Sequence, residues 1–507
     1  MTSIWLADAT PIPTDTFEAG AHFDEVIVGG GITGLVSALL FAREGRRVAV
    51  VEARTLGAVT TGHSTAKVSQ LQGTQFQKIR RLNPQKILQA YVDGNRDAFD
   101  WIVDYATANG IEVDRTDAYS YASTPTGAFA VTREFELATS AGLEVELVPD
   151  AGLPFATWGA LRLADQAQLD PMQLLASLAT DLRVLGGRIF EGVRVLDVRA
   201  ARAPVRVRSS RGELTAEHVI LATGTPILAR GLYFAKVAAL RSYAQSFDVP
   251  DGQLPDGMFL GVESPTRSIR TWRGQLLTGG NGHPVGRDAS PRSRAAGLTA
   301  WTQASWHGAV LTHSWSAQDY SAMHHVPFVG WFPRGFGRIY LATGYDKWGM
   351  TGGVYAARTL VADILGTNTP WQSSMHRRLT LPLTIARGIG ETAAVGWWYA
   401  KGWTGAFAQP MPVRAPAEGE GTVAHSGPRP RAVSTVDGET CELSAVCTHL
   451  GAVVTWNDAE HSWDCPAHGS RFAADGTLLE GPARRDLPGR VTRTRTPPAV
   501  AQPGSVT

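Results

Sequence analysis

With 507 residues, 44% of them hydrophobic and 18% charged, the chain has room for two or three domains with cores of their own, a composition that excludes a disordered or fibrous protein. Lys+Arg 47 against Asp+Glu 46 leaves a net charge of +1, so bulk electrostatics give no footing to nucleic-acid binding or to an anionic membrane surface. Of three cysteines two fall into one motif and Cys441 is left without a mate, which excludes a disulfide framework and favours a reducing compartment.

Residues 1–23 carry acids and prolines with neither a basic nor an apolar leader segment, and no window supplies the run of about 18 apolar residues that a membrane span needs. A cytoplasmic protein is expected. The first periodic segment is Asp24-Glu25-Val26-Ile27-Val28, a buried parallel strand by its β-branched run, followed by Gly29-Gly30-Gly31-Ile32-Thr33-Gly34, a helix to Arg43, and a second strand ending in Glu52. In this βαβ unit Gly29 permits the tight turn, Gly31 lets the backbone approach a pyrophosphate and Gly34 lets helix and strand pack closely. Glu52 is placed to bond ribose hydroxyls and would repel a 2′-phosphate.

The loop Thr61-Gly62-His63-Ser64-Thr65 is small and hydroxylated, suited to wrapping a phosphate or a flavin edge. His63 in that loop is a candidate flavin tether or a loop hydrogen-bonding group. A long amphipathic helix is predicted from Pro84 to Ala108 and another opens at Asp170-Pro171. The strand Val219–Ala222 runs into Thr223-Gly224, small residues beside which a cofactor can pass. From 236 to 334 the pattern turns strand-rich and antiparallel; Arg241, Tyr243, Arg270 and Trp315 are its candidate substrate-pocket residues. Strand Arg338–Thr343 then leads through Gly344-Tyr345-Asp346-Lys347-Trp348 into a helix starting Gly349-Met350-Thr351, whose positive end suits a flavin ring. Tyr345 and Lys347 in that turn are the catalytic candidates. Residues 367–413 read as a connector, with Ile389 to Ala408 an aromatic-rich surface segment.

The last motif is the most specific. Cys447-Thr448-His449-Leu450-Gly451 and Cys465-Pro466-Ala467-His468-Gly469-Ser470 each offer one thiolate and one imidazole. Structural zinc sites usually pair like ligands, whereas a mixed pair per loop suits a cluster with two Cys on one iron and two His on the other.

Taken together, Gly29 to Gly34 with Glu52, the loop from Thr61 to Lys67 and the Ala342–Met350 segment resemble FAD-dependent oxidoreductases of the D-amino-acid oxidase and glycine oxidase superfamily. The two Cys/His loops with Gly481-Pro482-Ala483 resemble a Rieske [2Fe–2S] domain. The resemblance implies an α/β FAD-binding fold, Rossmann-like and of the glutathione-reductase type, with an antiparallel β substrate domain, plus a small all-β Rieske domain. The expected division is 1–23 preamble, 24–235 and 335–366 FAD-binding domain, 236–334 substrate domain, 367–413 connector, 414–498 Rieske domain and 499–507 tail. It implies FAD held by Gly29, Gly31, Gly34, Glu52, Thr61, Gly62, Ser64, Thr65, Thr223, Gly224, Gly344, Gly349, Met350 and Thr351, and a [2Fe–2S] cluster held by Cys447, His449, Cys465 and His468.

Where high-potential Rieske proteins carry a disulfide and a sulfur-bonding tyrosine, this chain has Ala452, Ala467 and Phe472, which implies a potential in the lower or middle part of the ~−150 to +300 mV range. The expected activity is hydride transfer from a small amine, amino acid or hydroxy compound to FAD, with single electrons leaving through the cluster to a soluble carrier, or O2 as acceptor. Reversed current feeding a flavin reductase or monooxygenase, and a redox sensor without substrate, are the competing readings. A Rieske oxygenase is disfavoured, because Asp319, His324 and His325 are the only close set for a mononuclear iron and Pro327 suggests a turn there.

Overall fold

The strand His22–Val28 is central in an eight-stranded sheet, and its β-branched end, residues 26–28, is buried on both faces, where every position needs an apolar residue. In this computed structural model, which describes residues 1–376 and 382–492, parallel neighbours flank it: Val48–Val51 then Arg188–Phe190 on one side, Gly212–Leu221 then Ile339–Thr343 on the other. The helix Ile32–Arg43 packs on this sheet, buried along nearly its whole length, and contacts the helix Gly349–Leu365. The predicted long helix is Gln85–Ala108, and Asp170 caps the helix Pro171–Val184 by accepting from the amides of Met172 and Gln173 at 2.8 and 3.4 Å.

A nine-stranded, mainly antiparallel sheet lies beside it. It is not confined to 236–334, because the strands Lys67–Val68, Val113–Tyr121, Val145–Val148 and Ala160–Leu169 join it. Its long strands Val237–Asp248 and Val310–Ala322 pair along most of their length and bring Leu240 opposite Asp319.

The stretch expected as a connector contains the helix Pro382–Ala408. Beyond it two four-stranded antiparallel sheets, from Gly421–Ser426 to Gly489–Thr492, make the small β domain around a core of Cys441, Leu443, Trp463 and Phe472. The tail at 499–507 lies outside the described residues. Among the described residues no helix is long and apolar enough to cross a membrane.

Candidate flavin cavity and iron–sulfur loops

An elongated cavity of about 1430 Å³, counted to its open mouth, crosses the carboxyl ends of the first sheet's strands. Glu52, Gly29, Thr223 and Gly344 each follow one of four adjacent strands and all line it, so the cavity spans three strand spacings, about 14 Å. Ligands in open α/β sheets settle in this crevice. Gly29 takes a φ of +115°, and a Cβ there would stand 2.4 Å from the Ala222 carbonyl oxygen; a Cβ on Gly34 would stand 2.0 Å from that of Gly29. Both positions therefore exclude any other residue. Gly31 caps the helix Ile32–Arg43 with no side chain of its own; the Ile32 amide donates to Thr61 Oγ1 at 3.3 Å, and the amides that follow in the first turn are left for a pyrophosphate.

Glu52 accepts from the Gly30 amide through Oε2 and the Arg54 amide through Oε1, both at 2.8 Å, which fixes the glycine turn while its carboxylate faces the cavity. At the other end Thr61, Ser64, Gly344, Gly349 and Met350 line the wall. The helix Gly349–Leu365 starts there without a side-chain cap, so its first amides are free for an electron-rich ring edge. The glycine cradle and these two uncapped helix starts fit FAD in an extended pose.

Gly34, Gly62, Thr65 and Thr351 stand behind the wall instead of lining it; Thr351 donates to Asn95 at 2.7 Å. Tyr345 lines the cavity, but its hydroxyl is tied to Thr33 Oγ1 at 2.9 Å, which locks turn to helix. Lys347 lines it as well, in an exposed position at the mouth.

The four expected pocket residues do not line the cavity. Arg241 is ion-paired with Glu460 of the Rieske domain at 2.8 Å, and Tyr243 meets His283 Nε2 at 3.0 Å. Arg270 is wholly buried, donates to the Thr65 carbonyl and stacks between Trp5 and Trp272 at 5.3 and 5.1 Å, so it braces the loop behind the flavin end. Trp315 Nε1 donates to the His63 carbonyl at 2.9 Å, bracing the same loop. His63 turns away from the cavity and bonds Val59 O at 2.7 Å, the hydrogen-bonding role rather than the tether.

Residues that sequence reasoning did not assign fill these places. Asp319 and Tyr320 line the flavin end, and Glu480, Gly481 and Arg484 of the Rieske domain close one side. Asp319 enters the sequence reading only as a disfavoured iron ligand; its strand, Val310–Ala322, is rich in Ser, Thr, His and Gln, so one carboxylate there gave no signal. His325 instead pairs with Asp346 at 2.6 Å.

The two Cys/His loops have the same backbone. In each, the glycine four residues after the cysteine donates its N–H to the cysteine carbonyl, Gly451 at 3.0 Å and Gly469 at 3.1 Å, with φ near +80° in both. The amides of His449 and Leu450 and the Ser470 hydroxyl converge on the Cys447 sulfur, and those of Ala467 and His468 on Cys465. Such donors stabilise thiolates and cluster sulfur.

The imidazoles of His449 and His468 stand 5.2 Å apart, each pushed down to about 4, foremost by burial, so both are neutral at pH 7, the state in which an imidazole can bind a metal. Their Nδ1 atoms are buried without a partner and are the atoms free for iron. Both rings meet Phe234 edge-on, at 4.9 and 4.8 Å. The donor set fits a Rieske cluster. Ala452, Ala467 and Phe472 are buried among apolar neighbours where the disulfide and tyrosine were missed.

The cluster loops lie against the flavin cavity. Gln318 Nε2 donates to the Gly469 carbonyl and to the Tyr320 hydroxyl, each at 2.8 Å, and Tyr320 lines the cavity. Fold and sites together define a flavoprotein oxidoreductase that carries its own Rieske domain.

Comparison with known proteins agrees. The profile of the FAD dependent oxidoreductase family matches residues 24–363, and that of the Rieske [2Fe-2S] domain matches 411–493. A putative Rieske 2Fe-2S iron-sulfur protein, YhfW of Bacillus subtilis, is 31% identical over 489 residues, covering 94% of this chain and 96% of its own. Among solved structures, glycine oxidase from Geobacillus kaustophilus has a TM-score of 0.58 at 19% identity, over 69% of this chain and 96% of that one. L-amino acid deaminase from Proteus vulgaris has 0.60 at 13%, over 73% and 100%. The chain belongs to the FAD dependent oxidoreductase family and joins to it a Rieske domain, so FAD and a [2Fe–2S] cluster are its cofactors.

Proposed function

We propose that the protein oxidises a small amine, amino acid or hydroxy compound against FAD and passes the electrons singly, through a cluster held by Cys447, His449, Cys465 and His468, to a separate redox carrier. The observation that supports this is the Gln318 bridge: one side chain joins the second cluster loop to the residue that walls the flavin cavity. When bound, FAD supplies a two-electron hydride acceptor and the cluster a one-electron acceptor.

The chain's own work is positional. Glu52 and the glycine turn hold the dinucleotide, and the amides starting the helix Gly349–Leu365 favour added negative charge at the ring edge. Tyr345, locked to Thr33, and Tyr320, locked to Gln318, fix the walls against which a substrate is oriented. The Rieske segment 479–484 closes that side of the cavity.

The test is anaerobic. Addition of a substrate that bleaches the flavin should bring up the signal of the reduced cluster in the same molecules within a turnover. A flavin that bleaches while the cluster stays oxidised over many turnovers overturns the electron route.

A further inference from the structure

Among the described residues no arginine lines the flavin end of the cavity. Arg241 is paired with Glu460 and Arg270 is held behind the Thr65 carbonyl between two indoles, and neither lines the cavity. The arginines that do line the cavity, Arg54, Arg194 and Arg484, sit with Glu52 and the Rieske loop at the dinucleotide end. A substrate carboxylate would want a bidentate guanidinium, and none is offered where a substrate has to lie.

What the flavin end offers is Asp319. It stands on the strand Val310–Ala322, lines the cavity, and its Oδ2 is buried with no hydrogen-bond partner. An unpaired carboxylate oxygen in such a place is costly unless a ligand completes it. Among the described residues no side-chain cation forms an ion pair with it; the Lys347 ammonium lies beside Gly282, 3.2 Å from where a Cβ would be.

We propose that Asp319 selects the substrate: its free Oδ2 receives the protonated nitrogen of an amine that carries no carboxylate of its own, and takes the proton which that nitrogen sheds before oxidation. The step is a proton transfer alone. An N–H bond of the ammonium breaks, an O–H bond forms on Asp319, and the nitrogen keeps the electron pair. The tyrosines beside it, Tyr320 and Tyr345, have their hydroxyls engaged by Gln318 and Thr33 and so do not compete for that proton. This inference rests on the oxidoreductase reading above and narrows its substrate class to amines.

The test uses the full chain with FAD and cluster in place, and reads binding rather than turnover. Unreactive organic cations, such as tetramethylammonium and guanidinium, and carboxylates of matched size, acetate and benzoate, are titrated against the flavin absorption spectrum. Cations should perturb the spectrum saturably and the carboxylates should not. Asp319→Asn should weaken the cations about 30-fold or more with FAD content unchanged, and Asp319→Glu should restore part of the affinity. Carboxylates that bind while cations do not, or cation affinity unchanged in Asp319→Asn, would overturn the assignment. The wild-type comparison decides the matter even where the variant fails to fold. An unreduced cluster in the anaerobic experiment would sink the electron route and leave this binding result standing.

Discussion

Burial raises the Asp319 carboxyl to about 7, with Lys347 and Lys78 pulling it back and Asp346 pushing it further up. These are the charged groups facing it from the following turn and from the helix Gln75–Leu82, and Asp346 is itself paired with His325. A cation needs the ionised carboxylate, so affinity should be full above pH 7 and fall below it, by about tenfold per unit at most. Titration of tetramethylammonium from pH 5.5 to 8.5 checks this, and Asp319→Asn should flatten the profile. Gly29, Gly34 and Glu52 were legible because each meets a constraint written in local sequence: a turn that needs positive φ, a contact that excludes Cβ, an acid at a strand end. Asp319 was not, because its role comes from a neighbour in another strand and from arginines that find other partners. Nothing within a few residues of Arg241 tells that Glu460 neutralises it.

At the level of single elements, the cluster loops are the clearest case of local sequence determining local shape. Each closes on itself through a cysteine carbonyl and a glycine at φ near +80°, so the ligand spacing and the turn are one signal. Replacing Cys465 by Ser should abolish the cluster's absorption and its reduced-state resonance. The flavin should remain, because the cavity is built chiefly from the other domain. The helix Pro382–Ala408 shows the opposite. Its five glycines, Gly388, Gly390, Gly396, Gly402 and Gly405, each cost about 1 kcal/mol in a helix interior, and the stretch read as a connector for that reason. Tertiary packing overrides propensity here. Gly402 lets the helix approach Val453, and Trp403 Nε1 donates to the Gly451 carbonyl at 3.1 Å, beside the first cluster loop.

For the molecule as a whole, the decisive feature is how firmly the Rieske domain is seated. Arg287 Nε donates to the Pro466 carbonyl at 2.8 Å, Arg194 to that of Leu478 at 2.7 Å, and Asp458 accepts from Ser290 and the Arg292 amide. Glu460 is the centre of the seat: it bonds Arg241 and Ser316 across the interface and Arg471 within its own domain. Burial alone would raise Glu460, yet Arg241 and then Arg471 bring it down to about 2. A carboxylate depressed in this way stabilises the docked state above its ordinary value near 4.5, and that contribution is lost as pH falls toward 2. Glu460→Ala leaves the buried Arg241 guanidinium unpaired, while Arg471 keeps Asp464 and Glu480, and should cost about 3–5 kcal/mol. Thermal unfolding should then show the Rieske domain melting ahead of the flavin domain. Intact co-operative melting at the wild-type temperature would argue against the seat.

Phe234 carries one more consequence. It belongs to the flavin-binding part of the chain, yet its ring takes the place of water at the edge of both cluster imidazoles. Water polarises to stabilise the extra negative charge of a reduced centre and a phenyl ring does so poorly, so this contact should lower the midpoint potential of a cluster held by these two histidines. A Rieske fragment cut free at residue 411 would regain solvent at those rings and report a more positive potential than the one at which the intact enzyme works.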